Sequence, residues 1–251
     1  MLVDGVAGCQ YRSEVIPAWH CGLFACKGAF LMTRLNIFTG YYGSGKTEIA
    51  INYALQLAKQ NPRVCVVDLD IVNPYFCSRD VRDDLEAAGI RMISSNPAFS
   101  NVELGVVSPE VMAVFNDKNQ EVVIDVGGDD LGALALGQFN RYFQMESYEV
   151  NLVINTHRPD TATEGDVKDC LTRIQGASRL KVTHLIANTN LSYETTVADV
   201  LEGDTFVAEL ADKWGIPHRF TVCRRDLSAE VTQSARGEVF PIDIFMKPPW
   251  M

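Results

Sequence analysis

The stretch Phe38-Thr39-Gly40-Tyr41-Tyr42-Gly43-Ser44-Gly45-Lys46-Thr47 satisfies the pattern G-x-x-x-x-G-K-[ST]. It reads as a phosphate-binding loop. Gly40, Gly43 and Gly45 can adopt backbone angles that other residues resist, so the N–H groups along Tyr41, Tyr42 and Ser44 can turn inward around a di- or triphosphate. Lys46 is expected to reach the β- and γ-phosphates and the Thr47 hydroxyl to ligate Mg²⁺. The helix starting near Lys46, with Glu48 in its first turn, points its positive end at the anion. Gly40 through Glu48 is therefore the expected cofactor-binding stretch. A chance glycine turn would not have a short buried strand before it (residues 35–38) and apolar residues at helical spacing after it (residues 48–58).

Downstream, residues 63–70 run as a buried parallel strand ending in two carboxylates, Asp68 and Asp70, with Pro62 breaking the helix before it. A solvated turn would also place acids there. Behind a phosphate loop, however, the pair is expected to serve the metal and the attacking water. Residues 71–80 form a loop too apolar for an idle turn, suited to a switch that senses the γ-phosphate, and lead into a helix capped by Ser78. A third strand is expected at residues 90–94, then a polar loop through Asn101 and a short helix at residues 109–116. Glu121-Val-Val-Ile-Asp125-Val-Gly-Gly128 is the second anchor. In such sites the aspartate accepts a bond from a Mg²⁺-bound water, and the glycine N–H approaches the γ-phosphate.

Three more strand–helix pairs follow. Their strands lie at residues 148–156, 181–188 and 218–223, with helices over roughly 162–176 and up to Trp214, where Gly215 is a natural cap. A tail at residues 239–245 closes the chain. The alternation predicts an α/β three-layer sandwich, a mostly parallel central sheet with helices on both faces. Ligands in such sheets gather at the strands' C-terminal ends. Gly40, Asp70, Asp125, Asn155, Asn188 and Arg224 all fall there.

The 251 residues suffice for one large domain over residues 32–251, and no repeat or linker divides it. Against 22 basic residues stand 32 acidic ones, a balance that disfavours nucleic acid and anionic membranes as partners. Seven cysteines without a CxxC pair read as reduced thiols, hence a cytoplasmic protein. Residues 1–31 read differently. They hold three of those cysteines, and His20 and Lys27 interrupt an apolar stretch too short to span a bilayer. Val6-Ala7-Gly8-Cys9 lacks the basic start and apolar run of a lipoprotein signal, and Cys9, His20, Cys21 and Cys26 match no compact zinc spacing. Met32-Thr33-Arg34-Leu35 has the form of a start to such a protein. The expectation is that Met32 is the true start, or that residues 1–31 are an extension.

Together, Gly40-Tyr-Tyr-Gly-Ser-Gly-Lys-Thr47, Asp68-Leu-Asp70 and Asp125-Val-Gly-Gly128 resemble the MinD/ParA/CobQ-type branch of P-loop nucleotide-binding domains over roughly residues 34–235. The resemblance implies MgATP held in a homodimer across the nucleotide. It places catalysis on Lys46 and Asp70, with Asp70 positioning the attacking water, and the metal near Thr47, Asp68, Asp70 and Asp125. Asn188 would face the adenine edge, and Arg224 with Asp226 would line the base pocket. The chain departs from the branch at Tyr41, where deviant-loop members carry a second lysine. Arg79, Arg82 and Arg158 are the candidates to replace that cation, or an unidentified protein partner supplies it. The C-terminus has no basic amphipathic helix, no CxxC or histidine-rich tract is present, and a guanine-reading N/TKxD is missing. ATP is thus expected over GTP. Three functions remain open: a slow or partner-stimulated ATPase switch, a CobQ/CobB-like ligase or kinase with its acceptor site at residues 94–101, and an ATP-binding module without turnover.

Overall fold

Strand β1 (Leu35–Gly40) and strand β2 (Val64–Leu69) are buried along their whole length, and β4 (Glu121–Val126) is buried beyond its first residue. Strands covered on both faces must be apolar throughout, which is why these segments read as Val, Ile, Leu and Phe runs. With β3 (Arg91–Ser94), β5 (Tyr148–Ile154), β6 (His184–Ala187), β7 (His218–Arg224) and β8 (Val239–Ile242) they form one sheet of eight strands in the order β3-β2-β4-β1-β5-β6-β7-β8. Every neighbouring pair is parallel. The computed structural model describes residues 33–70, 81–94, 109–128 and 130–246. The expectations for residues 1–31, for the switch loop at 71–80 with Ser78 and Arg79, and for the polar loop beyond Ser94 lie outside these.

Helices cover both faces of the sheet. One face packs α3 (Pro109–Asn116), α4 (Asp130–Gly137), α5 (Asn140–Phe143), α6 (Glu164–Ser178) and α7 (Val197–Trp214) onto Leu35, Ile37, Val67, Ile124 and Leu152. On the other, α1 (Lys46–Ala58) and α2 (Arg82–Ala87) pack onto Phe38, Val66, Val123 and Phe220. Helix α8 (Ser228–Val231) lies in the connection from β7 to β8 and packs against both strands and α7. Helices α6 and α7 begin with capping boxes: Asp166 N donates to Thr163 at 3.3 Å and Asp199 N to Thr196 at 3.3 Å, and both carboxylates reach back to the cap N–H. Gly215 ends α7 in the left-handed region (φ 65°), as its position predicts.

Three elements differ from the sequence expectation. Helices α4 and α5 occupy a segment to which no periodicity is assigned, and the tail at residues 239–245 supplies a full parallel strand, β8, at the sheet edge. No described helix is long and apolar enough to cross a membrane.

Beneath α1 lies a buried polar cluster. Arg219 donates to Asn151 Oδ1 at 2.7 Å, Tyr53 Oη at 2.8 Å and Asn36 Oδ1 at 3.2 Å, and pairs with Glu149 at 2.6 Å. Removing the cation strands a buried carboxylate and three polar groups, so Arg219→Ala is expected to cost about 3–5 kcal/mol. Urea unfolding measures it, and a loss below about 1 kcal/mol would contradict this role.

Candidate phosphate-binding site

Strand β1 lies between β4 and β5, so the loop leaving it emerges where the chain's crossovers diverge to the two sides of the sheet. Its glycines take the conformations the sequence predicts: φ is 151° at Gly40, 71° at Gly43 and 87° at Gly45. A side chain at Gly40 would place Cβ 2.5 Å from the Val153 carbonyl oxygen, and one at Gly45 would run into the Asn188 amide. Gly45 is the N-cap of α1, and no side chain caps it, which leaves the first-turn N–H groups directed toward the loop. Lys46 is buried and folds back, its Nζ donating to the Tyr41 carbonyl at 3.1 Å.

The strand-end carboxylates converge on the loop. Asp68 and Asp125 are register partners on β2 and β4, and both are buried. Asp68 accepts the Asp70 N–H at 2.9 Å, while Asp70 Oδ1 lies 3.1 Å from where a Cβ on Gly127 would stand. Neither Asp125 oxygen has a hydrogen bond of full geometry, although the Thr47 hydroxyl beside it favours the ionised form. Burial pushes the Asp125 carboxyl up to about 8; the negative charge of Asp68 adds to this, and Lys46 and Thr47 oppose it. Among the described residues no three His, Cys, Asp or Glu side chains form a metal cage. Mg²⁺ does not need one, since it is commonly held by one or two protein oxygens together with phosphate and water. A hydroxyl beside a buried carboxylate whose oxygens are poorly satisfied fits that requirement.

Gly128 is where β4's exit meets the loop. A Cβ there would sit 2.7 Å from Tyr42 N and 2.9 Å from Lys46 Nζ, so only glycine permits this approach. Behind it, Gly132 of α4 packs so closely that its Cβ would be 2.5 Å from the Gly127 carbonyl oxygen. The run Leu131-Gly-Ala-Leu-Ala-Leu-Gly137, small residues between leucines, is the sequence signal for this helix.

On the other flank, Asn155 at the end of β5 accepts from His157 N at 3.0 Å and from Asn190 N at 3.3 Å, and donates to the Asn190 carbonyl at 3.2 Å, joining the exits of β5 and β6. Its neighbour Arg158 is exposed, and its Nε donates to the Gly43 carbonyl at 3.1 Å, placing a guanidinium on the rim of the loop. Arg82, by contrast, bonds the Met92 carbonyl at 3.4 Å and pairs with Glu86. Tyr41 packs against the core with the Arg173 guanidinium 5.5 Å from its ring centroid, and Tyr42 is exposed.

Asn188 donates to the Ser44 carbonyl at 2.6 Å, so its amide braces the loop. Arg224 donates to the Tyr193 carbonyl at 2.6 Å and forms a paired contact with Asp226 at 3.0 and 2.7 Å. Between them lies a cavity of about 120 Å³ lined by Gly45, Glu48, Asn188, Arg224, Val222 and Ile242 among others. Both Glu48 oxygens are engaged by the backbone N–H groups of Phe245 and Met246.

The sheet, the loop and the strand-end acids together define a P-loop NTPase-like fold. The cell division protein FtsY of Thermotoga maritima shares it: the TM-score is 0.50 at 19% identity, covering 74% of this chain and 60% of that one. FtsY of Elizabethkingia anophelis in complex with GDP gives 0.48 at 18%, covering 77% and 58%. A nucleotide-binding protein of Archaeoglobus fulgidus in complex with ADP gives 0.45 at 16%, covering 80% and 86%. The chain thus spans about three fifths of the FtsY structures it matches. No protein-family model matches the sequence, and no curated protein does.

Proposed function

We propose that the protein binds MgATP at this loop and acts as a slow or partner-stimulated ATPase, a nucleotide-dependent switch or accessory factor of the MinD/ParA/CobQ-like kind. The observation that carries the reading is the convergence of an uncapped α1 N-terminus, the buried Lys46 and the poorly satisfied Asp125 on one glycine-lined loop. The loop N–H groups and Lys46 hold the phosphates. Thr47 and Asp125 would hold Mg²⁺, with Asp68 and Asp70 beside them, and the ion would supply charge neutralisation for the phosphates. Asp70 orients the attacking water. The preference for ATP rests on the missing guanine-reading motif. Asp70→Ala is expected to abolish phosphate release from MgATP while leaving binding in place; release that continues unchanged in this variant would reject the assignment.

Of the two candidate cations among the described residues, Arg82 and Arg158, it is Arg158 that bonds the loop directly, which supports in-cis charge compensation for the absent lysine. Arg158→Ala is expected to weaken binding of a non-hydrolysable triphosphate by about tenfold relative to ADP, as calorimetry would read. Equal losses for both would mean that it only braces Gly43.

A reading without turnover has its own support in Tyr41, which is turned against the core and Arg173 and supplies no cation. Tight MgATP binding with no phosphate release at high protein concentration would favour it. A homodimer across the nucleotide and a cytoplasmic location belong to the same proposal.

A further inference from the structure

After β8 the chain does not drift off the sheet edge. Residues 243–246 turn back across α1 and are bonded to it at successive positions. Asn52, buried on α1, donates from Nδ2 to the Asp243 carbonyl at 2.8 Å and accepts the Asp243 N–H at 2.9 Å, mimicking a strand partner. One turn earlier, Glu48 accepts the Phe245 N–H at 2.6 Å and the Met246 N–H at 3.1 Å. Arg225 also grips the Asp243 carboxylate in a two-pronged pair at 2.8 and 2.7 Å. Burying a carboxylate is costly, and burial does raise the Glu48 carboxyl above its ordinary range against the pull of the two amides. Glu48 sits directly after the loop's Thr47, so this fastening is built into the first turn of the phosphate-loop helix.

The segment held in this way lines the cavity beside the loop: Ile242, Ile244 and Met246 line it together with Val222, Cys223 and Val200, and Asn188 and Asn190 are among its polar lining. The polar groups of the lining are already engaged within the chain. Asn188 bonds Ser44, Asn190 Nδ2 bonds the Asn188 carbonyl at 2.9 Å, and Arg224 bonds Ser192, Tyr193 and Asp226. What remains for a ligand is a narrow, largely aliphatic slot. At about 120 Å³ it is smaller than the roughly 300 Å³ of a usual whole-ligand pocket, so it suits one flat part of a ligand whose charged part lies on the loop.

We propose that Glu48 and Asn52 are positioning residues that latch residues 243–246 in place as the apolar wall of the slot receiving the nucleotide base. The proposal rests on the nucleotide-binding reading and adds the half of the ligand that the loop does not touch. The phosphates are held by the loop whatever the strap does, whereas the base is held only while the strap is fastened. Base contact is then chiefly shape and apolar burial.

The test compares MgATP with Mg²⁺ and inorganic tripolyphosphate, which has the phosphates without the base, by calorimetry on the full chain. Asn52→Ala is expected to weaken MgATP by about tenfold and tripolyphosphate by less than about twofold, with faster hydrogen exchange at the Phe245 and Met246 amides. Arg225→Ala, an exposed change that leaves the core intact, is expected to act in the same direction by about two- to threefold. Equal losses for the two ligands, or faster amide exchange with MgATP affinity unchanged, would overturn the latch. A wild-type protein that binds neither ligand would overturn the nucleotide reading along with it.

Discussion

Asp125→Asn is expected to stabilise the nucleotide-free protein while abolishing its Mg²⁺-dependent nucleotide binding. The folded Asp125 carboxyl is raised from 3.8 to about 8, chiefly by burial and then by Asp68. Between those values the folded protein holds a proton that the unfolded chain releases, so stability falls as pH rises through that window and levels off above it. Asparagine has no such charge to bury. At pH near 8 the variant is expected to be more stable by at least about 2 kcal/mol, a rise of at least roughly 4 °C in melting temperature, and it loses the wild-type slope with pH. The same change removes the anion beside Thr47, so affinity for MgATP should fall far more than affinity for Mg²⁺-free ADP. Melting curves across the pH window, with calorimetry at one pH, check both halves. A variant that melts below the wild type at pH 8, or loses the two nucleotides equally, would contradict the role assigned to Asp125.

Gly128→Ala is expected to cost at least about tenfold in MgATP affinity, because the new methyl meets backbone. Its Cβ would stand 2.7 Å from Tyr42 N and 2.8 Å from Tyr42 Cα, neither of which can swing aside as a side chain can. The phosphate loop must move, or the exit of β4 must lift away from it. Gly176→Ala on α6 is the control: its Cβ would meet nothing within 4 Å, so the substitution should leave binding unchanged and add about 0.5–1 kcal/mol of stability through helix propensity. Calorimetric affinities within twofold of wild type for Gly128→Ala would show that the loop does not depend on this approach.

Much of this architecture is legible before any coordinates. A parallel sheet covered on both faces requires apolar runs such as Val64-Cys-Val-Val and Val122-Val-Ile, and crossover helices require amphipathic segments between them, so both leave periodic traces. The loop is legible because its glycines are needed locally, each for a backbone angle that its own neighbours impose. Strand β8 is harder to read: it is short, lies at the sheet edge and contains Pro241, which an edge strand tolerates and a sequence pattern discounts. Helix α4 is obscured because Gly132 serves a close approach to Gly127 and lowers helix propensity where the helix forms.

The site divides along the same line. That Asp68, Asp70 and Asp125 stand at strand ends follows from the runs preceding them. Which backbone group a side chain reaches does not, because it depends on distant segments brought together by the sheet order. Asn188, expected at the adenine edge, spends its amide on Ser44, 144 positions away in the sequence. Glu48, expected among the cofactor-binding residues, accepts amides 197 and 198 positions away. Arg158 belongs to the same category: its charge is plain in the sequence, but its place on the rim of the loop comes from the turn that Asn155 organises.

The central claim is that the loop from Gly40 to Thr47 holds nucleotide phosphates through its amides and Lys46. Titrating MgATP into the wild-type protein and into Lys46→Ala by calorimetry tests it most directly. The account predicts saturable binding to the wild type and a loss of at least about a hundredfold in the variant, whose unfolding midpoint in urea should stay near that of the wild type. Wild-type protein that takes up no MgATP, or a variant that binds it as tightly, would contradict the account.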